Sequence, residues 1–334
     1  MYLQNGGGGG GKIPSLSVLR LFAMFLIIAC HYCQFYDNEW AWWLNVGVQI
    51  FFVLSGFLYG NKCIEKPLLW LKRQFLKILI PYYTFLLIAI LLYAIFCPQN
   101  LSPINIVGSF FCVSTIKGIG HLWFVGNILF CYFLTPYLFA VMEYYRAKSI
   151  VRILFVMFLI FCVLSVVGIY THAYFRPGNI LCYVVGYFIA VLYQRYGIKV
   201  LTQSLWLILP LTLCFNAFYI YEKYLLHNPM VGKWMHLTDY SHLFLGLLLT
   251  LILMLAFNHI RMTGILKWSD KYSYTVYLVH QLFILSPLTL LNFSDSKIFS
   301  GIFALLVICL SSVLLKSVSA LLEQTLIFKK TQCA

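Results

Sequence analysis

Between Ile78 and Cys97 the chain reads ILIPYYTFLLIAILLYAIFC, twenty residues without one Asp, Glu, Lys, Arg or His. A helix needs about 20 predominantly apolar residues to cross the hydrocarbon core of a bilayer, where every backbone polar group must be satisfied within the segment itself. The same length and composition recur along the chain. Spans are expected at about 16 to 36, 44 to 61, 78 to 97, 121 to 142, 150 to 170, 179 to 195, 203 to 222, 240 to 258, 273 to 293 and 297 to 322, ten in all. The expected fold class is therefore all-α, a polytopic membrane protein of about ten transmembrane helices. Of 334 residues, 62% are hydrophobic, 18% aromatic and 10% charged. Soluble domains carry about 25% charged residues, so water is excluded as the solvent. The apolar content also excludes disorder, and ten Pro with 21 Gly are too few for a collagen-like chain.

The run Gly6 to Gly11 cannot order itself, so residues 1–12 are read as a flexible leader. Residues 13–325 form a single transmembrane domain and 326–334 a short cytoplasmic tail. Loops are short throughout, which leaves no room for an extramembrane catalytic domain. Any chemistry has to take place in or against the bilayer.

The 23 Lys and Arg against nine Asp and Glu give a net charge of +14, which in a soluble protein would suggest nucleic acid. Here the distribution matters more than the sum, and no nucleic-acid partner is expected. With the N-terminus inside, 17 basic residues fall on the inner side, among them Arg20, Lys62, Lys66, Lys72, Arg73, Lys77, Arg146, Arg195, Lys199, Arg261, Lys267 and Lys271. Five fall outside, namely Lys117, Arg176, Lys223, Lys233 and Lys297. The positive-inside rule thus puts both termini in the cytoplasm of a multi-pass protein, expected in the plasma (inner) membrane. The eleven cysteines sit mostly inside apolar runs and read as buried hydrophobes rather than a disulfide framework or a metal site. Cys97 and Cys112, flanking an outer loop, are the one pair placed to join.

Polar side chains are costly in lipid, so intramembrane ionisable residues are functional candidates. Arg20 and His31 are eleven residues apart in the first span. At 100° and 1.5 Å per residue they share one face, with His31 about 16.5 Å towards the outside. By itself this spacing also fits a snorkelling arginine and an interfacial histidine. In the second span Gly47, Ser55 and Gly56 suit close helix packing. The five charges from Lys62 to Lys77 suit anionic membrane lipids or the phosphates of a soluble anion. His121 beside Trp123 fits an aromatic belt, whereas His280, read near mid-bilayer, needs a partner. Asp37, Glu39, Asp239, Asp270 and Asp295 are read at ends or loops, leaving no mid-span carboxylate of the kind that ion-coupled transporters use. The contexts of His31, His121 and His280 differ and no half of the chain echoes the other, which disfavours a transporter or flippase built on internal repeats.

These residues, in this order, resemble the membrane-bound acyltransferase-3 family across residues 13 to 290. The resemblance rests on Arg20 followed by His31, on Gly47-Val48-Gln49-Ile50-Phe51-Phe52-Val53-Leu54-Ser55-Gly56-Phe57, on the basic stretch into Pro81-Tyr82-Tyr83, on His121-Leu122-Trp123-Phe124, and on Ser273 to His280. Pro14 to Leu19 replace the Asp- or Gly-rich approach to the arginine that is usual in the family. No fused SGNH-type esterase domain follows the last span, so a transmembrane-only member is expected. The resemblance implies transfer of an acyl group, most often acetyl, from cytoplasmic acyl-CoA to a hydroxyl of a cell-surface or lipid-linked glycan. Acetyl-CoA would then be a co-substrate, with no bound cofactor and no metal. His31 is assigned as general base or transient acyl carrier, two roles the sequence leaves open. Arg20, with Lys72, Arg73, Lys77 and Tyr82, is expected to hold the donor. Ser55, His121 and His280 are expected to orient the thioester or stabilise its oxyanion.

Overall fold

The computed structural model describes residues 13–146, 155–160, 162–164, 166, 176–225 and 235–328, and no strand occurs among them. Its helices are α1 (Pro14–Phe35), α2 (Trp40–Leu44), α3 (Gly47–Gly60), α4 (Pro67–Phe96), α5 (Pro103–Phe110), α6 (Trp123–Arg146), α7 (Pro177–Tyr196), α8 (Lys199–Ile220), α9 (Met235–Ala256), α10 (Gly264–Ile284) and α11 (Lys297–Phe328). Four of them, α1, α4, α5 and α7, open on proline, whose fixed φ suits the first helical turn and whose missing N–H costs nothing there. Gly197, at a φ of 68°, ends α7 and turns the chain into α8.

Seven segments among the described residues are long and apolar enough to cross a membrane: α1, α2 with α3, α4, α6, α7, α8 and α11. The protein is an all-α, multi-pass membrane protein. The apolar part of α9 is shorter, and α10 carries Lys267, Asp270 and Lys271 in its first half. Most of the span expected at 150 to 170 lies outside the described residues.

Two boundaries differ from the sequence reading in ways that matter for the site. The basic stretch from Lys72 to Lys77 is not a separate segment before the third span but the opening turns of α4, which continues through Pro81. The span expected at 273 to 293 is α10, nine residues earlier. Thr263 caps it by accepting from the Leu266 N–H, and its end at Ile284 precedes Pro287, which cannot extend a helix. That shift takes Asp270 out of a loop and into the helix, and places His280 in the last turns of α10. The thiols of Cys97 and Cys112 are both free, in keeping with cysteines read as apolar side chains rather than a disulfide framework.

Two apolar cores meet along α1 and α10. One gathers α1, α3, α6, α7 and α9 around Leu19, Ile27, Phe52, Val53, Tyr183 and Leu247. The other gathers α4, α10 and α11 around Tyr82, Phe85, Val276, Leu278 and Ile308, with Met24 from α1. Helices α3 and α7 make the closest pair, because Gly56 and Gly186 leave no room for a side chain between them: a methyl on Gly56 would meet the Tyr183 carbonyl, and one on Gly186 the Val53 carbonyl. In α11 the polar stripe turns inward, with Ser300, Ser312 and Ser319 fully buried, while Ile298, Ile302, Leu306, Leu310 and Leu314 face outward as a lipid-compatible stripe.

Candidate active site

Helices α1 and α10 run in the same direction, and two polar rungs join them. On the inner rung the Arg20 guanidinium donates to Asp270 Oδ1 at 2.5 Å, and the Ser17 hydroxyl donates to Oδ2 of the same carboxylate at 3.0 Å. The side chain of Asp270 is 6% exposed and that of Arg20 23%, so this is a largely desolvated ion pair. On the outer rung the rings of His31 and His280 stack with centroids 5.1 Å apart. The rungs lie eleven residues apart on α1 and ten on α10, which parallel helices of equal rise can match. Arg20 and His31 therefore do share one face, the face against α10.

His121 completes the outer group. It sits in the short 3-10 turn Gly120–Leu122 that leads into α6, with its ring edge-on to His280 at 4.8 Å. The three imidazoles differ in what their nitrogens are doing. Both ring nitrogens of His121 lie against oxygens, Nδ1 at 2.5 Å from Gln281 Oε1 and Nε2 at 2.9 Å from the Leu278 carbonyl. Gln281 Oε1 also accepts the His121 backbone N–H, and the Tyr277 hydroxyl donates to the His121 carbonyl. His121 is thus tied to α10 at every polar atom. His31, partly exposed at the outer end of α1, donates from Nδ1 to Gln34 Oε1 at 2.9 Å, which leaves the Nε2 lone pair of its neutral ring open. His280, at 0% exposure, donates from Nδ1 to the Tyr277 carbonyl, and its Nε2 has no hydrogen-bond partner.

Inward of this group lies a cavity of about 180 Å³, lined by Arg20 at one end, by Ser55, Tyr59, Tyr132 and Ser273 along its wall, and by Phe51, Phe124 and Tyr277 at the other end. A second, much narrower cleft between Met24, Ile27, Ile28, Val276 and His280 shares Phe51 and Tyr277 with the cavity. The cavity and the closed cleft therefore lie between Arg20 and His280, with the rings of Phe51 and Tyr277 common to both.

Cations mark the inner end. Lys62, in the loop between α3 and α4, places its ammonium 5.2 Å from the ring centre of Tyr59, a cavity residue. Burial, and then the like charges of Lys77 and Arg20, hold the Lys62 pKa below its ordinary value. Lys77 and Arg20 thus both act on Lys62. Lys72, Arg73 and Lys77 are all exposed on α4 and none of them lines the cavity, but of the three only Lys77 acts on Lys62. Tyr82, also expected to hold the donor, is fully buried and donates its hydroxyl to the Ser109 carbonyl at 2.6 Å.

Of the residues read as candidates, the structure brings together His31, His121 and His280 at the outer end, and Arg20 with Ser55 along the cavity. It sets Lys72, Arg73 and Tyr82 apart from both. Asp270, Lys62 and Tyr277 were passed over as individual candidates. Asp270 could have been found by testing a helix that starts before Tyr272, because ten residues separate it from His280 as eleven separate Arg20 from His31. Cys30 and Cys33 flank His31 with C-x-x-C spacing, yet both thiols are free and Cys30 donates to the Ala41 carbonyl. Among the described residues no group of three or more His, Cys, Asp or Glu is arranged to hold a metal ion.

A family model described as an acyltransferase domain matches residues 13–319. Peptidoglycan O-acetyltransferase OatA of Listeria monocytogenes serovar 1/2a is 31% identical over 126 residues, a stretch covering 34% of this chain and 18% of that protein. No solved structure matches the chain.

Proposed function

The chain belongs to the membrane-bound acyltransferase-3 family, and on that basis we propose that it is a plasma-membrane O-acetyltransferase that uses acetyl-CoA from the cytoplasm to acetylate a hydroxyl of a cell-envelope glycan. The observation that carries this reading is the polarity of the space along α1: a cationic cluster and a cavity at the inner end, an open imidazole nitrogen at the outer end. The phosphates of an acyl-CoA are anions, and Arg20, Lys62 and Lys77 supply cations where such a molecule would enter. Asp270 takes one N–H of the Arg20 guanidinium and fixes its plane, while the remaining donors of the five can face the cavity.

At the far end His31 Nε2 takes the proton of the acceptor hydroxyl as the oxygen attacks the acyl carbonyl. Gln34 holds Nδ1–H and so fixes the tautomer that leaves the basic nitrogen outward. Among the residues expected to stabilise the oxyanion, Ser55 lines the cavity and can donate, whereas His280 carries a lone pair on its open nitrogen and His121 has both nitrogens engaged. The apolar walls exclude water, which protects a thioester from hydrolysis. The name of the Listeria relative makes peptidoglycan the first acceptor to try.

The test incubates purified protein with radiolabelled acetyl-CoA and a panel of envelope glycans that includes peptidoglycan and lipid-linked sugars. Label should reach at least one acceptor with the wild type and none with His31→Ala. Acetyl-CoA that binds but passes label to no glycan would overturn the reading.

A further inference from the structure

Two imidazole nitrogens are open in the outer histidine group, and they open to different sides. His31 is partly exposed at the end of α1, and its Nε2 is not taken by the Gln34 bond. His280 is wholly buried and lines the narrow cleft on the inner side of His31, the one that shares Phe51 and Tyr277 with the donor cavity. Burying a polar atom without a partner is costly, so most buried polar atoms are satisfied or used by a ligand. His280 Nε2 is unsatisfied although its ring is fixed on three sides: by the Nδ1 bond to the Tyr277 carbonyl, by the stack on His31 and by the edge contact with His121. The Nδ1 bond also settles the tautomer, leaving at Nε2 the lone pair of a nucleophile.

We infer that His280 Nε2 is the atom that takes the acetyl group from the donor, and that His31 serves the second half of a two-step transfer. The inference rests on the acetyltransferase reading above. In the first step the Nε2 lone pair attacks the thioester carbonyl, the N–C bond forms, the C–S bond breaks and the thiolate leaves with its electron pair towards the cytoplasmic mouth. The positive charge of the acylated ring is held by the Nδ1–H bond to the Tyr277 carbonyl. In the second step the glycan hydroxyl gives its proton to His31 Nε2, its oxygen attacks the acetyl carbonyl, and the C–N bond breaks with its electron pair returning to His280 Nε2. The proton on His31 is released to solvent and balances the one that the thiolate takes up. Donor and acceptor then never need to occupy the site together, and the ring of Phe51, partly rather than fully buried, is the partition that has to swing for the thioester to reach the cleft.

The discriminating experiment is exchange without acceptor. Radiolabelled CoA is mixed with unlabelled acetyl-CoA and the full chain, and label appearing in acetyl-CoA reports a reversible acyl-enzyme. Wild type and His31→Ala should both catalyse exchange, although His31→Ala transfers nothing to glycan. His280→Gln should lose exchange by on the order of 10²-fold or more while still binding CoA. Because His280 is buried and its variant can be destabilised, acid-quenched labelling of His31→Ala with radiolabelled acetyl-CoA supplies a second measurement, with acetyl expected on the peptide that contains His280. A wild type that acetylates glycan yet shows no exchange overturns the acyl-histidine and leaves the acetyltransferase reading intact, as does exchange retained by His280→Gln. A wild type that transfers acetyl to no glycan overturns the reading and this inference with it.

Discussion

His31 and His121 show how the same side chain is put to two uses by its hydrogen bonds alone. His121 gives both nitrogens to α10, whereas His31 gives one to Gln34 and keeps the other open, which on the proposed reading is the nitrogen that meets substrate. His31→Ala is therefore expected to lower glycan acetylation by on the order of 10²–10⁴-fold, the usual worth of a general base, while the melting temperature in detergent stays near wild type. His121→Ala is expected to lower the melting temperature as well, since it removes the ring nitrogens that bond Gln281 Oε1 and the Leu278 carbonyl in a buried site. At the inner end the cluster geometry ranks the lysines. Lys62→Ala and Lys77→Ala should each raise the Kd for acetyl-CoA by about tenfold at low salt, and Lys72→Ala and Arg73→Ala by less than about twofold, because Lys62 lies against Tyr59 of the cavity wall and, of the three cations on α4, only Lys77 acts on it. Burial and like charge disfavour the Lys62 cation, so it loses its proton at a lower pH than an ordinary lysine. Donor affinity should accordingly weaken as pH rises through that depressed value. Titration calorimetry across pH would show this limb vanish in Lys62→Ala.

Between helices, the inner rung does two jobs that mutation can separate. Breaking a buried ion pair from one side leaves an uncompensated charge, and Asp270→Asn is expected to cost about 3 kcal/mol, at the low end for such pairs because Arg20 keeps some contact with water. The double variant Arg20→Asp with Asp270→Arg should recover much of that stability in thermal unfolding and yet bind acetyl-CoA poorly, since the guanidinium then projects from α10 rather than α1. Recovery of both properties together would mean that the pair is purely structural. The α3–α7 contact makes the opposite kind of demand, for absence of volume. Gly56→Val should destabilise by about 1–3 kcal/mol or prevent assembly, because the side chain would meet the Tyr183 backbone and no rotamer removes that clash. Ser55, one residue earlier, points instead to the cavity, so displacement of α3 would also move a wall of the proposed donor site.

For the molecule as a whole, the parallel course of α1 and α10 puts the Arg20 end on one side of the bundle and the His31 end on the other, about 16.5 Å apart along the helix. In sealed proteoliposomes of known orientation, acetyl-CoA supplied only on the cytoplasmic side should acetylate a membrane-impermeant acceptor present only on the opposite side. Transfer restricted to a shared cytoplasmic compartment would rule out transbilayer delivery. The membrane class, the family and the common face of Arg20 and His31 were all legible in the sequence, because hydropathy, short motifs and the 3.6-residue period are local properties of the chain. Where α10 begins was not legible. Hydropathy places a span by its apolar centre, and α10 spends its first turns on Lys267, Asp270 and Lys271, which only packing against α1 makes tolerable. The partner of Arg20 lies 250 residues away, and His121 and His280 reach His31 from separate elements. Lipid and the helix interior are equally apolar, so the sequence could say which residues were too polar for lipid but not which of them would meet. That choice, and with it the contrast between an engaged His121 and an open His280, was made by the packing of helices far apart in the chain.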